Sequence, residues 1–523
     1  MAPGPALQHL ISGRHTISIA KDNRMHLQLC LDGTNLRKWH IALLQRLAHL
    51  PKVTITVDPT SKACALPRGA ESLFQLEALL YGLPRGGLAS RVPESALAPF
   101  VGGSEPAELT LDLCGDAPKE KGRVWRLLFD GRAGETALFS ILLEGRVPCA
   151  EIQEGTSAVA AARLGTEYGG IALASFEDAV ARASTLIIAA VKGCASGKLP
   201  RLPDEKDGFP ALHIPTTPML ARTAAKSVAR RIVRQAYQLC YNAPHWRVGW
   251  RRLDGPDLIA LGHHPAAAWH FLPDDGERFY ADPFPVLYRG VVTLFVEEYE
   301  HRLDKGVISA VTFDANGPTG RPRRVLEQPG HLSYPFVFES EGQMWMIPES
   351  YSARTIDLFR ATDFPGGWVK EATLLSDITA SDATIIEYEG TWWLFATVKD
   401  DGGSFSDALH LWSAPNFRGP WTPHKGNPVL IDIASARPAG CMVQRNGVLW
   451  RPVQDCRRGY GAALGIARVT RLDAEGFEQK IESIIGPGPA WPGRRLHTLN
   501  SAGGLEFIDG SALALRGFFR RKT

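Results

Sequence analysis

The chain has 523 residues, a net charge of +3, 45% apolar and 22% charged side chains, a globular composition long enough for two or three domains. No apolar run reaches the about eighteen residues of a transmembrane helix, and the charge balance makes no case for a nucleic-acid partner, so none is expected. The start lacks a basic stretch followed by an apolar one, so no signal peptide is expected; eight scattered cysteines without CxxC or Cys/His ligand spacing read as reduced thiols of a cytoplasmic protein.

Residues 1–24 read as a tail. Residues 25–200 alternate strands and helices: "MHLQLCLDG" a strand, "NLRKWHIALLQRLAHL" an amphipathic helix, "KVTITVD", "ELTLDLCGD" and "RVWRLLFDG" strands, and "SFEDAVARASTLIIAAVKGC" a helix capped by Ser175. This alternation predicts an α/β domain. Neither GxGxxG nor GxxxxGK[ST] follows its first strand, so no cofactor is expected.

Residues 201–252 read as a connector. "RLPDEKDGFP" is a loop. From Thr217 to Arg252 there are eight Arg or Lys and no acid, with Pro218 at a helix start. Such a helix either lies on an anionic membrane surface or packs as a solvated linker on the second domain, the plainer reading.

From 253 to 523 the grammar becomes strands, aromatic pairs and glycine turns. Glycines at 290, 342, 390, 447 and 510 each follow an apolar run at the same interval, as in "ADPFPVLYRG", "SYPFVFESEG" and "SDATIIEYEG". A second repeat, "LFRATDFPGGW" and "LWSAPNFRGPW", is displaced by 53 positions. Spacings of 52, 48, 57 and 63 suit four-stranded propeller blades, and five copies predict an all-β five-bladed propeller.

If each glycine marks the hairpin after an innermost strand, the residue eight before it and the one seven after it share one edge of the blade. Asp282 with Glu297, Tyr334 with Glu349, and Asp382 with Thr397 then ring one mouth of the channel. Clustered carboxylates repel, raising the pKa of at least one, as an acid/base pair for glycosidic chemistry requires. The plainer alternative is turn capping or pairing with arginines such as Arg437, Arg451 and Arg302. His331 and His497 are candidates to bind sugar hydroxyls or are satisfied turn residues. Arg451, Gln454 and Asp455 in "RPVQDC" are candidate substrate contacts or a blade-to-blade ion pair. His263-His264 lacks a third ligand, and no metal is expected.

This half resembles the five-bladed propellers of glycoside hydrolase families 32 and 43. In family 43 a base aspartate opens the first blade, a pKa-modulating aspartate the third, and an acid glutamate lies in the fourth. Asp282 in "YADPF" and Asp382 in "SDATI" match; Arg437-Pro438 stands where the glutamate would be. The stretches "YADPF", "HLSYPFVF", "IPES", "SDATI", "ARPAG", "RPVQDC" and "LHTLN" resemble the N-terminal domain of the plant glucosamine inositolphosphorylceramide transferases and their bacterial relatives. The resemblance implies a channel that binds a glycan or glycoconjugate and hydrolyses or transfers at a glycosidic bond. Asp282 would be base or nucleophile, Asp382 would tune its partner, and Glu349, or else Glu297, would replace the acid. The rivals are a non-catalytic glycan-binding module and a glycosyltransferase accessory at a membrane. The first half is similar to formyltransferase-like domains that precede such propellers. That chemistry uses an Asn–His pair with an Asp, and residues 101–200 contain neither His nor Asn, which implies a degenerate scaffold or binding module.

Overall fold

A computed structural model describes residues 24–516 except 63–64, 103–105, 117–121, 197–208, 267, 401 and 490. The tail at 1–23, Cys64 and most of the loop at 201–210 lie outside the described residues.

Strands β1 (Met25–Cys30), β2 (Val53–Asp58), β3 (Leu109–Asp112) and β4 (Val124–Phe129) lie parallel in the order β2-β1-β3-β4, and the sheet continues antiparallel through Cys149–Glu154 and Ser157–Arg163. Helices α1 (Lys38–Ala48), α2 (Ala70–Tyr81), α3 (Glu135–Leu143) and α4 (Ala172–Ser196) complete the expected α/β domain. Helix α4 is apolar on more than one side because it has two neighbours. Phe176, Leu186 and Ile187 fill the α/β core, while Arg182 reaches into the propeller. Ser175 does not cap it. The helix begins earlier, at Ala172, and the buried Glu77 carboxylate accepts the Leu173 N–H at 2.8 Å, supplying the cap from a neighbouring helix.

The second half is a five-bladed propeller. Each inner hairpin turns through two left-handed residues, the type I′ geometry whose twist matches antiparallel strands: Arg289-Gly290, Glu341-Gly342, Glu389-Gly390, Asn446-Gly447 and Gly503-Gly504, with φ from 50° to 80°. The fifth turn corrects the repeat. Gly510 lies inside the strand Leu505–Ser511, and it is a glycine for another reason: a Cβ there would stand 1.9 Å from the Arg495 carbonyl. The strand Trp246–Arg252, from the stretch read as connector, pairs with Leu505–Ser511 and carries His270–Phe271 on its other side. Strands from before blade one therefore complete blade five, which closes the ring without a free inner edge.

Helix α5 (Thr217–Cys240) packs on the α/β domain, not on the propeller as the linker reading held. Leu220 enters the α/β core, Ser227 Oγ donates to Glu77 at 2.8 Å, and Tyr81 donates to the Ser227 carbonyl at 2.8 Å. Past Ser227 the helix leaves Ile232, Val233 and Leu239 exposed. The two domains are tied by buried charges. Arg163 holds Asp432 through two bonds of 2.7 and 2.8 Å, and Arg182 reaches Asp407 at 2.8 Å, where the Gly165 N–H also donates at 2.8 Å.

Candidate active site

The inner strands of blades one, two and three share one irregularity. Pairing slips between Ala281 and Phe284, Ser333 and Phe336, and Ser381 and Thr384. The residue in each bulge, Asp282, Tyr334 or Asp382, has a left-handed φ of 49°, 43° or 56°. Such a conformation costs a non-glycine residue about 1–3 kcal/mol, which a hydrogen bond to a charged group, worth about 1.5–3 kcal/mol, can offset. A hydrogen bond to a carboxyl oxygen is present each time, because the bulge turns the N–H towards the preceding blade. Asp282 N–H donates to Asp509 Oδ2 at 2.8 Å, Tyr334 N–H to Asp282 Oδ2 at 3.0 Å, and Asp382 N–H to Glu349 Oε2 at 2.9 Å. Glu297 stands opposite Ala281, Glu349 opposite Ser333 and Thr397 opposite Ser381, at the edge where the glycine spacing predicts them.

Two clusters result. In the first, Arg437 Nε donates to Asp382 Oδ2 at 2.6 Å, Gln454 Nε2 to the same oxygen at 2.9 Å, and the Arg437 guanidinium lies 4.0 Å from Glu349. Arg437 also stacks 4.7 Å from the Tyr460 ring centre and donates to Ser406 Oγ at 3.3 Å. Burial, reinforced by the charge of Asp382 and only partly opposed by Arg437, pushes the Glu349 carboxyl well above its ordinary value.

The second cluster is a buried Asp–His–Asp triad. His497 Nε2 lies 3.1 Å from Asp282 Oδ1 and Nδ1 lies 2.7 Å from Asp509 Oδ1. Burial disfavours the imidazolium, but Asp509 and Asp282 outweigh it and raise His497 to about 10. Burial likewise opposes ionisation of Asp282, but His497, with the Tyr334 N–H and the Thr498 hydroxyl, holds its carboxyl below the ordinary value. The triad's ligand-type atoms lie within 4.8 Å of one another, a spacing that would also suit a metal ion; here the imidazolium itself supplies the positive charge. Beside the triad, His331 Nδ1 accepts the Gly306 N–H at 2.9 Å, leaving Nε2 to carry the proton 3.2 Å from Glu297 Oε1. Burial, helped by the charge of Asp282 and opposed by His331, raises the Glu297 carboxyl.

Tyr460 joins the two clusters, its ring centre 4.7 Å from the Arg437 guanidinium and 5.3 Å from the His497 ring, so they form one small volume. Asp282, Glu297, His331, Glu349, Asp382, Arg437, Gln454 and His497 belong to it. Tyr334 lies beneath it as a strut: its hydroxyl meets Thr384 Oγ1 at 3.0 Å and accepts the Gly440 N–H at 2.8 Å, linking blades two, three and four. Arg451 and Asp455 do not join the site. Arg451 is buried against the Ser435 and Ala436 carbonyls and Gln479, and burial lowers its pKa to about 9. Asp455 folds back on Arg457 at 2.8 Å.

Sequence reasoning missed Asp509, Thr498 and Ser406, and it did not single out Tyr460. A fifth turn placed at Gly503-Gly504 would have put Asp509 on the returning strand near the mouth. Ser406 and Tyr460 sit on loops between second and third strands, where the repeat has no fixed length. The rim is aromatic: Tyr351 is 42% exposed and packs edge-on to Phe405 with ring centres 5.8 Å apart, and Tyr299 stands 6.0 Å from His331.

Comparison with known proteins bears on the same half. Residues 273–506 match the family model described as Glucosamine inositolphosphorylceramide transferase 1, N-terminal. Curated relatives include Glucosamine inositolphosphorylceramide transferase 1 of Oryza sativa subsp. japonica, 32% identical over 247 residues, covering 45% of this chain and 33% of that protein. The Arabidopsis thaliana protein of the same name is 30% identical over 258 residues, 47% of this chain and 34% of its own. The chain thus spans about a third of the length of the curated relatives it matches. Similar solved structures include Zg3597, a family 117 glycoside hydrolase from Zobellia galactanivorans (TM-score 0.34, 13% identity, 52% of this chain and 92% of that one). A GH43_1 enzyme from Xanthomonas citri gives a TM-score of 0.33 at 11% identity over 45% of this chain and 88% of its own. Over residues 273–506, the propeller carries the sequence pattern of the glucosamine inositolphosphorylceramide transferase 1 N-terminal family.

Proposed function

We propose that the propeller mouth binds a glycan or glycoconjugate and hydrolyses or transfers at a glycosidic bond, with Glu349 as general acid. The observation that carries this reading is a carboxyl pushed well above its ordinary value, set among ionised partners and an aromatic rim. A protonated acid beside a fixed negative charge is what departure of a glycosidic oxygen needs. Asp282 is a poor base here. Two donors and an imidazolium stabilise its charge, so it acts as a fixed anion near the reacting carbon. The base role falls to Glu297, whose raised carboxyl meets His331 at 3.2 Å. Asp382, held by Arg437 and Gln454, keeps the proton on Glu349.

Turnover of aryl glycosides by Glu349→Gln should fall by at least ~10²-fold on poor leaving groups and far less on activated ones, since the latter need little protonation. An equal loss on both classes would remove Glu349 from the acid role. A wild type that binds glycans on an array yet turns over no glycoside would assign the mouth to a binding module.

A second reading concerns the membrane. Among the described residues no helix is long and apolar enough to cross a membrane. Helix α5, however, exposes Ile232 (60%), Val233 (65%) and Leu239 (70%) beside Arg222, Lys226 and Arg234, with no acid in its length. We infer that this face rests on anionic lipid, apolar side chains entering the headgroup boundary and cations meeting the charge. The full chain should co-sediment with phosphatidylserine vesicles and not with phosphatidylcholine ones, and Ile232→Asp with Val233→Asp should abolish it. Co-sedimentation unchanged by that pair of substitutions would exclude this face.

A further inference from the structure

Between the α/β domain and blades two and three lies a crevice of about 700 Å³, walled on one side by α1 and α4 and on the other by the turns and strands of the propeller. Neither domain forms it alone, and it is distinct from the mouth. Its size falls within the range of small-molecule sites. Four cations from four segments line it: Arg46 from α1, Lys192 from α4, Arg354 from the turn after Glu349, and Lys399 from the turn after Val398. Two carboxylates, Asp377 and Asp400, share the lining. Asp400 is already matched, with Arg182 at 3.9 Å and His410 at 3.7 Å. Lys192, Arg354 and Lys399 make no ion pair among the described residues. His410 Nε2 is buried in the same wall and faces Asp400 at 3.7 Å, longer than a hydrogen bond. Like charges gathered in a concave, partly dry space repel one another, and the arrangement is relieved by an anion that enters it.

We propose that this interdomain crevice binds a small organic phosphate carrying two or more negative charges, held by Arg46, Lys192, Arg354 and Lys399. Arginine and lysine together suit phosphate oxygens, the first through its planar fork and the second as a point charge. The crevice is too small for a folded macromolecule. Occupancy would also reach the mouth. Lys399 lies 4.6 Å over the Phe405 ring, and Phe405 N–H and Ser406 Oγ donate to Glu167 Oε1 at 2.9 and 3.2 Å, next to the bond from Arg437 to Ser406. A ligand that bridges the domains would hold this loop still.

The test is calorimetric titration of the full chain with inorganic pyrophosphate and, separately, fructose 1,6-bisphosphate, and it does not depend on catalysis at the mouth. Binding of either with Kd below about 1 mM is expected, weakening as salt rises from about 50 to 150 mM. Binding of pyrophosphate alone points to a diphosphate as the source, and of the bisphosphate alone to a phosphorylated sugar. Lys192→Met and Arg354→Met should each weaken it by about 10-fold or more, the loss of one charge-assisted bond. Neither side chain is in the core, and Arg234→Gln on the far surface of α5 should leave affinity unchanged. Absence of binding by both probes overturns the proposal, as does an equal loss in Arg234→Gln, which would mean attraction to net charge alone.

Discussion

At the scale of single residues, ionisable groups at the mouth divide into anchors and reactive groups by how many donors each meets. Asp282 and Asp382 sit inside and are saturated by His497, Thr498, Arg437, Gln454 and a backbone N–H. Glu297 and Glu349 come from the second strands and keep carboxyls raised by burial. His497 is the central anchor, and its linkage has a definite sign. Its folded value of about 10 lies above the ordinary 6.5, so its contribution to stability is complete below 6.5, shrinks above it and is gone once pH passes about 10. His497→Gln leaves Asp282 and Asp509 buried without their cation, a loss of about 3–5 kcal/mol for a broken buried pair. The melting temperatures of wild type and His497→Gln should therefore differ most near pH 6 and converge near pH 10; a gap constant across that range would deny the charged histidine. Asp282 and Asp382 were legible in the sequence because a polar residue recurs at a fixed distance before a turn glycine. The triad was not, since the spacing aligns the fifth repeat on Gly510, whereas the fifth turn that places Asp509 lies at Gly503-Gly504.

At the scale of elements, one hairpin and one bulge recur round the ring. The hairpin requires two positive φ values, which is why glycine stands second in all five turns. The bulge requires only one, and there a carboxyl oxygen of the preceding blade compensates. The closing element is Trp246–Arg252. Its partner strand carries Phe507 and Ile508, both fully buried. A fragment 241–523 keeps the ring closed, whereas one beginning at 253 bares that strand's edge and apolar face. The longer fragment should melt cooperatively and stay soluble, and the shorter should aggregate or be cut quickly by protease. Equal solubility and equal melting would show that blade five closes without its first-half strand. The boundary at 253 seemed natural in sequence because the seven residues of that strand hold three arginines and belong, by charge, to the basic stretch before them.

At the scale of the whole molecule, the α/β domain docks on the propeller face that carries the mouth. Its Arg163, Glu167 and Arg182 grip Asp432 and the loop from Ser404 to Asp407, one residue of which, Ser406, supports Arg437. Arg182 and Asp407 are both fully buried, so separating the domains would return two charges to water and would open the phosphate crevice to solvent. Helix α5 holds the α/β domain as far as Arg230, whose guanidinium donates to the Gly170 carbonyl, and then returns the chain to blade five with its apolar stripe exposed.

The sequence by itself determined the α/β half, the propeller, its blade number and the edge on which Asp282, Glu297, Glu349 and Asp382 meet. Each of these follows from periodicity, and periodicity is a local property that strand alternation and turn glycines write directly into the chain. Only the tertiary structure decided the closing strand, the cap of α4, the fate of Arg451 and Asp455, the Asp–His–Asp triad and the crevice between domains. The closing strand, the link from Asp282 to Asp509 and the contacts between the domains depend on partners more than two hundred residues away, as Glu167 is from Ser406, and the others on which neighbours burial leaves within reach. Burial then chooses which charge is neutralised and which is raised, and no spacing along the chain records burial.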